Sequence, residues 1–163
     1  MEKAKIEEII VNELIKRKET ISSMESCTAG YLATTLTNIE GSSNVLKFSA
    51  ITYSNEYKIR LGVSKEVIKR YGVYSFETAR QMAKKISYFS ESTYGIGITG
   101  KINTQDINNP NGNINEIYAS IFNSKKNTYY DLKIKCQKKS RIKCKEEIVK
   151  KVLKKFLVVI LDK

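Results

Sequence analysis

A serine at the start of a helix is the residue of this sequence best suited to act as a nucleophile. Ser26 follows the strand candidate at residues 20–24 and precedes apolar residues at helical spacing, so it lies on a strand-to-helix turn. Free backbone N–H groups of the next helix point at whatever such a side chain attacks and could hold an oxyanion. The same turn also suits phosphate binding, or simple helix capping by Ser26 and Thr28.

A nucleophilic serine needs a base, and the 163-residue chain contains no histidine. This excludes a Ser-His-Asp triad, a Cys-His pair and a His-ligated zinc within the chain. The base that remains is a lysine kept neutral by burial, and Lys58 is the candidate because it follows the second predicted strand. Tyr53 could relay a proton or orient the amine. The alternative interpretation is an exposed lysine and a half-buried tyrosine.

Cys27 is a competing nucleophile directly beside Ser26. Thiolates attack more readily, and a helix N-terminus lowers the pKa of a thiol. Adjacent residues on a turn point in different directions, so both side chains cannot face one substrate, and we expect Cys27 to be a buried structural thiol. Cys136 and Cys144 receive no predicted function. Three cysteines without metal-ligand spacing favour reduced thiols in a cytosolic protein.

Strands and helices alternate along the chain, apart from one hairpin. This pattern predicts a three-layer α/β/α sandwich with a mixed, mostly parallel central sheet, in a single domain spanning residues 1–163. The helix that Ser75 opens is expected to bury Ala79, Met82, Ala83, Ile86 and Phe89. The other predicted elements are a helix at 4–18, strands at 20–24, 48–53, 94–99, 116–122 and 128–135, helices capped by Ser54 or Asn55, Ser64 and Ser75, a polar loop at 101–115 and a basic C-terminal helix.

Most of the net charge of +12 is concentrated near the C-terminus, where residues 133–163 carry twelve basic and three acidic side chains. The lysines interleave with an apolar stripe at helical spacing, so a solvated helix face explains them better than a nucleic-acid site. The longest uncharged apolar run, residues 156–161, is too short to cross a membrane. The N-terminus has no apolar signal core, and we expect a cytoplasmic protein.

Six motifs in order resemble those of the CinA C-terminal domain family, which comprises nicotinamide-nucleotide amidohydrolases, also called nicotinamide mononucleotide deamidases. The resemblance covers about residues 4–160, so the chain looks like a stand-alone version without the family's optional N-terminal domain. No single motif is specific for the family, but several spaced motifs in the family's order are a specific signal. The motifs are residues 25–30 (ESCTAG), 41–43 (GSS), 53–58 (YSNEYK), 61–63 (LGV), 72–75 (GVYS) and 97–100 (GITG).

The resemblance implies hydrolysis of the carboxamide of nicotinamide mononucleotide to nicotinate mononucleotide and ammonia, without a metal or cofactor. Carried over by motif position, Ser26 is the nucleophile, Lys58 its general base and Tyr53 the assisting hydroxyl. The expected substrate-binding residues are Cys27, Thr28, Gly30, Ser42, Thr99 and Gly100. A small-molecule nucleotide substrate and a homodimer are also implied.

Two departures from the family pattern bear on this function. Ala29 replaces the second glycine of the first motif, and the loop at 101–112 is polar where the family usually has an apolar segment rich in glycine and proline. Losing glycines that approach a phosphate would weaken nucleotide binding or change its specificity, unless Lys101 compensates by charge. The segment from Lys58 to Gly62 is also one residue shorter than usual. Two alternatives stay open: a catalytically degenerate nucleotide-binding or regulatory domain, and, on charge alone, a nucleic-acid-binding module.

Overall fold

The computed structural model describes residues 4–137 and 139–162 and contains one five-stranded sheet. Its strands are β1 (Ile21–Glu25), β2 (Leu46–Ile51), β3 (Tyr94–Gly100), β4 (Glu116–Asn123) and β5 (Thr128–Lys135), in the spatial order β2-β1-β3-β4-β5. β1 is parallel to both neighbours, whereas β4 is antiparallel to both of its own. Four of the five strands therefore point the same way, which confirms the mixed, mostly parallel sheet.

Helices cover both faces of the sheet and confirm the three-layer arrangement. One face carries α1 (Ile6–Arg17), α2 (Tyr31–Thr37) and α6 (Arg141–Leu161), which contact one another. Two short helices, α3 (Asn55–Arg60) and α4 (Lys65–Tyr71), precede α5 (Phe76–Ser90), which packs across the other face. Within the described ranges, no helix is both long enough and apolar enough to span a membrane.

Serine caps start three successive helices, as the sequence predicts. The side chains of Ser54, Ser64 and Ser75 each accept a hydrogen bond from the backbone N–H three residues later, at the first turns of α3, α4 and α5. Glycine then fixes where α5 lies. A Cβ atom added to Gly95 or Gly97 of β3 would clash with the backbone carbonyls of α5, so the helix rests directly on the strand.

Two sequence predictions about the sheet edge need correction. The second strand ends at Ile51, so Tyr53 lies beyond it in the following loop. Phe89, expected in the core, is 62% exposed because the last turn of α5 overhangs the edge strand β2. There its ring packs on that of Phe48, with 5.2 Å between the ring centroids. The other predicted inner-face residues of α5 are buried.

The order in which the strands are added to the sheet reverses at β1, and this reversal determines where a ligand can bind. The connection after β1 leads through α2 to β2 on one side, and the connection after β2 leads through α5 to β3 on the other side. The loops after these strands therefore diverge to opposite faces. In open α/β sheets the crevice left at the carboxyl ends of such strands is the usual ligand site.

Candidate active site

The loops that follow β1, β2 and β3 meet around a polar pocket of about 480 Å³. Ser26 and Cys27 come from the first loop, Tyr53 and Ser54 from the second, and most of residues 100–109 from the third. Arg141, the first residue of α6, completes one side. A volume of this size lies within the usual range of small-molecule sites.

Ser26 and Lys58 lie in direct contact beside this pocket. The Lys58 amine is 3.2 Å from Ser26 Oγ and donates to the Thr52 carbonyl oxygen at 2.8 Å. The lysine residue is only 2% exposed, although it belongs to a short surface helix. Burial lowers the pKa of the Lys58 amine to about 8, against partial opposition from the negative charge of Asp106. A substantial fraction of the amine is therefore neutral at mildly alkaline pH and able to accept a proton.

Tyr53 lines the pocket, but its hydroxyl has a different partner from the one expected. The residue is 63% exposed, and its hydroxyl accepts a hydrogen bond from the Arg141 guanidinium at 3.3 Å. Among the described residues, no hydrogen bond joins this hydroxyl to Ser26 or Lys58. Its position beyond the end of β2 places the ring at the rim of the pocket.

Glu25 organises the turn that carries Ser26. Its buried carboxylate accepts hydrogen bonds from the Thr28 hydroxyl at 2.7 Å and from the backbone N–H groups of Leu32 at 3.0 Å and Ala33 at 3.2 Å. These amides belong to the first turn of α2, so Glu25 caps the helix from the preceding strand. Ser26 is thereby left free to face Lys58. No role for Glu25 was predicted from the sequence, although a carboxylate beside a helix start was a signal for it.

Several backbone N–H groups in this turn have no partner among the described residues. The Ser26 N–H donates to the Ile98 carbonyl oxygen and the Ala29 N–H donates to the Ser26 carbonyl oxygen, both at 3.0 Å. The N–H groups of Cys27 and Thr28 donate to no other residue within the described ranges. They lie next to Ser26 and are the natural candidates for an oxyanion hole.

Cys27 is buried beside the nucleophile candidate and is a free thiol. Burial, assisted by charge at Cys136 and Glu25, raises the pKa of the Cys27 thiol to about 12. The thiol therefore stays protonated at physiological pH, in contrast to thiols that a free helix N-terminus activates. This supports the expected structural role.

Four of the expected substrate-binding residues do not line the pocket. Thr28 is bonded to Glu25, and Gly30 is the N-cap of α2 with φ 88°. Thr99 donates its hydroxyl to the Val73 carbonyl oxygen at 3.1 Å. Ser42 lies in a short 3-10 helix (Ser42–Asn44) before the amino end of β2, opposite the edge where the pocket lies. Of the glycines, Gly100 does line the pocket.

Lys101 holds the loop at 101–115 together from inside. Its residue is 3% exposed, and its ammonium donates to the Gln105 side chain at 2.9 Å and to the carbonyl oxygens of Pro110 and Gly112 at 3.2 Å each. An ammonium group has three hydrogens, and acceptors within the loop form hydrogen bonds with all three. From the sequence, Lys101 was expected to compensate for the lost glycines by its charge. In the structure, that charge instead stabilises the loop.

Asp106 forms the second anchor of this loop, within the pocket lining. Its carboxylate accepts hydrogen bonds from the Tyr74 hydroxyl at 2.6 Å, the Asn109 amide at 2.8 Å and the Asn108 backbone N–H at 3.0 Å. Burial acts to raise the pKa of this carboxyl, but the hydrogen bonds outweigh it and hold the pKa below its ordinary value. Asn55 of α3 bonds to Asn109 at 2.7 Å and ties the loop to the helix of Lys58.

Fold and site together define an α/β protein with a buried Ser-Lys pair at the switch point of its sheet. The chain belongs to the CinA C-terminal domain family, whose model matches residues 3–160. A competence-damage inducible protein of Clostridium perfringens strain SM101 is 48% identical over 96 residues, which are 58% of this chain and 23% of that protein. A CinA-like protein of Desulforapulum autotrophicum is 46% identical over 88 residues, 53% of this chain and 21% of that protein. The matched segment thus spans less than a quarter of these relatives.

Solved structures with this fold cover nearly the whole chain. The competence/damage inducible protein CihA from Agrobacterium tumefaciens superposes with a TM-score of 0.85 at 25% identity, covering 99% of each chain. A CinA superfamily protein from Escherichia coli superposes with a TM-score of 0.83 at 19% identity, covering 98% of this chain and 94% of that one. The second similarity shows the fold alone.

Proposed function

We propose that this protein hydrolyses the carboxamide of nicotinamide mononucleotide to nicotinate mononucleotide and ammonia, with Ser26 as the nucleophile. The observation that carries the proposal is the contact between the Ser26 hydroxyl and the buried Lys58 amine at 3.2 Å. Family membership supports the substrate class, and the pocket of about 480 Å³ beside the pair supports a ligand of mononucleotide size.

The first half of the reaction forms an acyl-enzyme. Neutral Lys58 takes the proton of Ser26 as its oxygen attacks the carboxamide carbon, and the carbonyl oxygen becomes an oxyanion. The N–H groups of Cys27 and Thr28 stabilise that oxyanion, a type of interaction whose loss costs about 3 to 4 kcal/mol of transition-state stabilisation. Lys58 then returns the proton to the amide nitrogen, the C–N bond breaks and ammonia leaves.

The second half consumes one water and restores the enzyme. Lys58, neutral again, takes a proton from a water that attacks the ester carbon, and the same N–H groups hold the second oxyanion. The ester C–O bond breaks and Lys58 returns the proton to Ser26. The net change is one amide and one water to one carboxylic acid and one ammonia, and the same lysine handles the proton in both halves.

Tyr53 and Arg141 act on substrate binding in this proposal. Because the Tyr53 hydroxyl is bonded to Arg141, we assign it to orienting the substrate at the rim, not to the proton relay. The Arg141 guanidinium also donates to the Ile102 carbonyl oxygen at 2.6 Å, which fixes its plane. Its remaining N–H groups are suited to a phosphate.

The test is the release of ammonia and nicotinate mononucleotide by the purified protein. The variant Ser26→Ala should lose at least about a thousandfold in turnover, as removal of a nucleophile does elsewhere. Ser64→Ala is the matched control, since it removes a helix-capping serine outside the pocket and should keep its turnover. A fully active Ser26→Ala variant, or wild-type protein inactive at both neutral and alkaline pH, refutes the proposal.

The polar loop at 101–115 supports a second candidate, a nucleotide-binding domain that no longer catalyses the reaction. Glycine-rich backbone that lets amides approach a phosphate is replaced here by a loop anchored on Lys101 and Asp106. Binding of nicotinamide mononucleotide without release of ammonia would select this candidate.

A further inference from the structure

The pocket lining carries one carboxylate, Asp106, and two cations, Lys101 and Arg141, and Asp106 forms an ion pair with neither. Within the described part of the chain, Asp106 has no salt-bridge partner; Tyr74, Asn109 and the Asn108 backbone N–H are neutral donors. In a protein with 29 basic and 17 acidic residues, this pocket contains a carboxylate that forms no ion pair within the described residues.

This carboxylate is fixed in place and remains charged. Its three hydrogen bonds favour the ionised form, and the links through Tyr74 and Asn109 hold it to two other parts of the chain. Its charge also acts on the Lys58 amine beside Ser26, so it lies within electrostatic range of the reacting atoms. A carboxylate at this place would repel a purely anionic ligand. Its interaction with a ligand is favourable only where a positively charged part of the ligand lies near it.

We propose that Asp106 is a specificity-determining residue that selects amides attached to a ring with a fixed positive charge, an N-alkylated pyridinium, over neutral amides. The inference rests on the proposed function and identifies its selectivity. Nicotinamide mononucleotide is a zwitterion in which the pyridinium is positive and the phosphate negative, and Asp106 with Arg141 supplies the complementary pair. The ring of Tyr53 lines the same pocket and favours a flat cation, whereas the ring of Tyr74 already has the Lys101 ammonium 5.1 Å from its centroid.

The experiment compares two ligands that differ by one hydride, which removes the positive charge of the ring. The 1,4-dihydro form of nicotinamide mononucleotide keeps the carboxamide, ribose and phosphate but has a neutral ring. Binding of both forms is measured by calorimetry on the Ser26→Ala variant, which cannot turn them over. With Asp106 present, the cationic form should bind more tightly than the dihydro form. Adding the Asp106→Asn substitution to the Ser26→Ala variant should weaken binding of the cationic form about tenfold and leave binding of the dihydro form unchanged. An effect of this size is expected for charges several ångströms apart in a partly solvated site.

Two control variants separate charge from loop support. Tyr74→Phe removes the hydroxyl bonded to Asp106 but keeps the carboxylate, so the preference for the cationic ring should persist. Glu40→Gln removes an exposed carboxylate outside the pocket lining and should change neither affinity.

The possible failures are distinguishable. If Asp106→Asn weakens both ligands equally, or preserves the preference for the cationic ring, the inference is wrong while release of ammonia from nicotinamide mononucleotide still supports the proposed function. If wild-type protein neither binds nor hydrolyses this nucleotide, the proposed function fails and the inference fails with it.

Discussion

The amine of Lys58 lies between the hydroxyl of Ser26, at 3.2 Å, and the carbonyl oxygen of Thr52, at 2.8 Å. A carbonyl oxygen can only accept, so a neutral amine must give Thr52 one of its hydrogens, and its lone pair is left to face the serine. Thr52 is itself held by its N–H bond to the Glu25 carbonyl oxygen at 2.9 Å. The ends of β1 and β2 thus fix the acceptor, the amine and the serine as one unit.

The pH dependence of turnover follows from the pKa of Lys58. Only the neutral amine can take the serine proton, and burial places the pKa of this amine at about 8. Values of kcat/KM should therefore rise about tenfold per pH unit below that value and level off above it. Ammonia release measured across this range at saturating and low substrate tests the prediction. A profile that is flat through pH 8 would exclude Lys58 as the base.

The same group predicts how stability depends on pH. Folding lowers the pKa of the Lys58 amine from 10.5 to about 8, so between these values the unfolded chain binds a proton that the folded chain does not. Stability contributed by this site must therefore rise with pH across that window. Relative to Lys58→Met, wild-type protein should gain about 2 kcal/mol between neutral pH and about pH 10. Urea denaturation of both proteins measures the difference, and parallel pH curves would contradict the burial of a neutral amine.

Much of the fold could be predicted from the sequence because local signals agreed with the tertiary structure. Serine caps and apolar spacing located α3, α4 and α5, and the β-branched hairpin strands were found almost to the residue. The failure at Phe89 has a physical cause. Helical spacing shows which side chains share a face, but not where the sheet beneath that face ends.

The site was harder to predict than the fold, since much of it depends on long-range contacts. Ser26 and Lys58 are 32 residues apart; the strand-to-helix turn and the lack of histidine made them candidates, and the family motifs then favoured them over the alternative of an exposed lysine. Asp106 and Arg141 lie on a loop and a helix start whose sequences carry no ligand signal. Lys101 was misjudged because a lysine that donates to its own loop looks, in sequence, like a free surface cation.

Cys27 should be dispensable for turnover. Its thiol is buried, and a pKa of about 12 leaves almost no thiolate at neutral pH. Cys27→Ala should therefore keep activity within a few-fold of wild type, whereas Ser26→Ala loses it. Wild-type activity should also survive treatment with iodoacetamide under native conditions. A loss of turnover in Cys27→Ala as large as that in Ser26→Ala would instead make the thiol the nucleophile.

Glu25→Gln should destabilise the fold by about 1 to 3 kcal/mol. The carboxylate accepts from Thr28, Leu32 and Ala33, and a glutamine side chain would turn an NH2 group toward one of these donors. The free energy of unfolding in urea measures the loss. Glu40→Gln, which removes an equal charge at an exposed position, should change stability by less than about 0.5 kcal/mol. Equal effects of the two substitutions would show that the cap on α2 contributes little.

Ala29→Gly should stabilise the protein, although glycine usually destabilises a folded chain. Ala29 has φ 48°, in the left-handed region that costs an L-residue about 1 to 2 kcal/mol, and glycine adopts it without that penalty. After the entropy that glycine loses on folding, the net gain should be about 0.5 to 1 kcal/mol in urea denaturation. Ala33→Gly is the matched control, because Ala33 lies in α2 and the same change there should cost about 1 kcal/mol. The two substitutions should therefore have opposite signs, and a loss of stability in both would mean that the turn holding Ser26 is not strained.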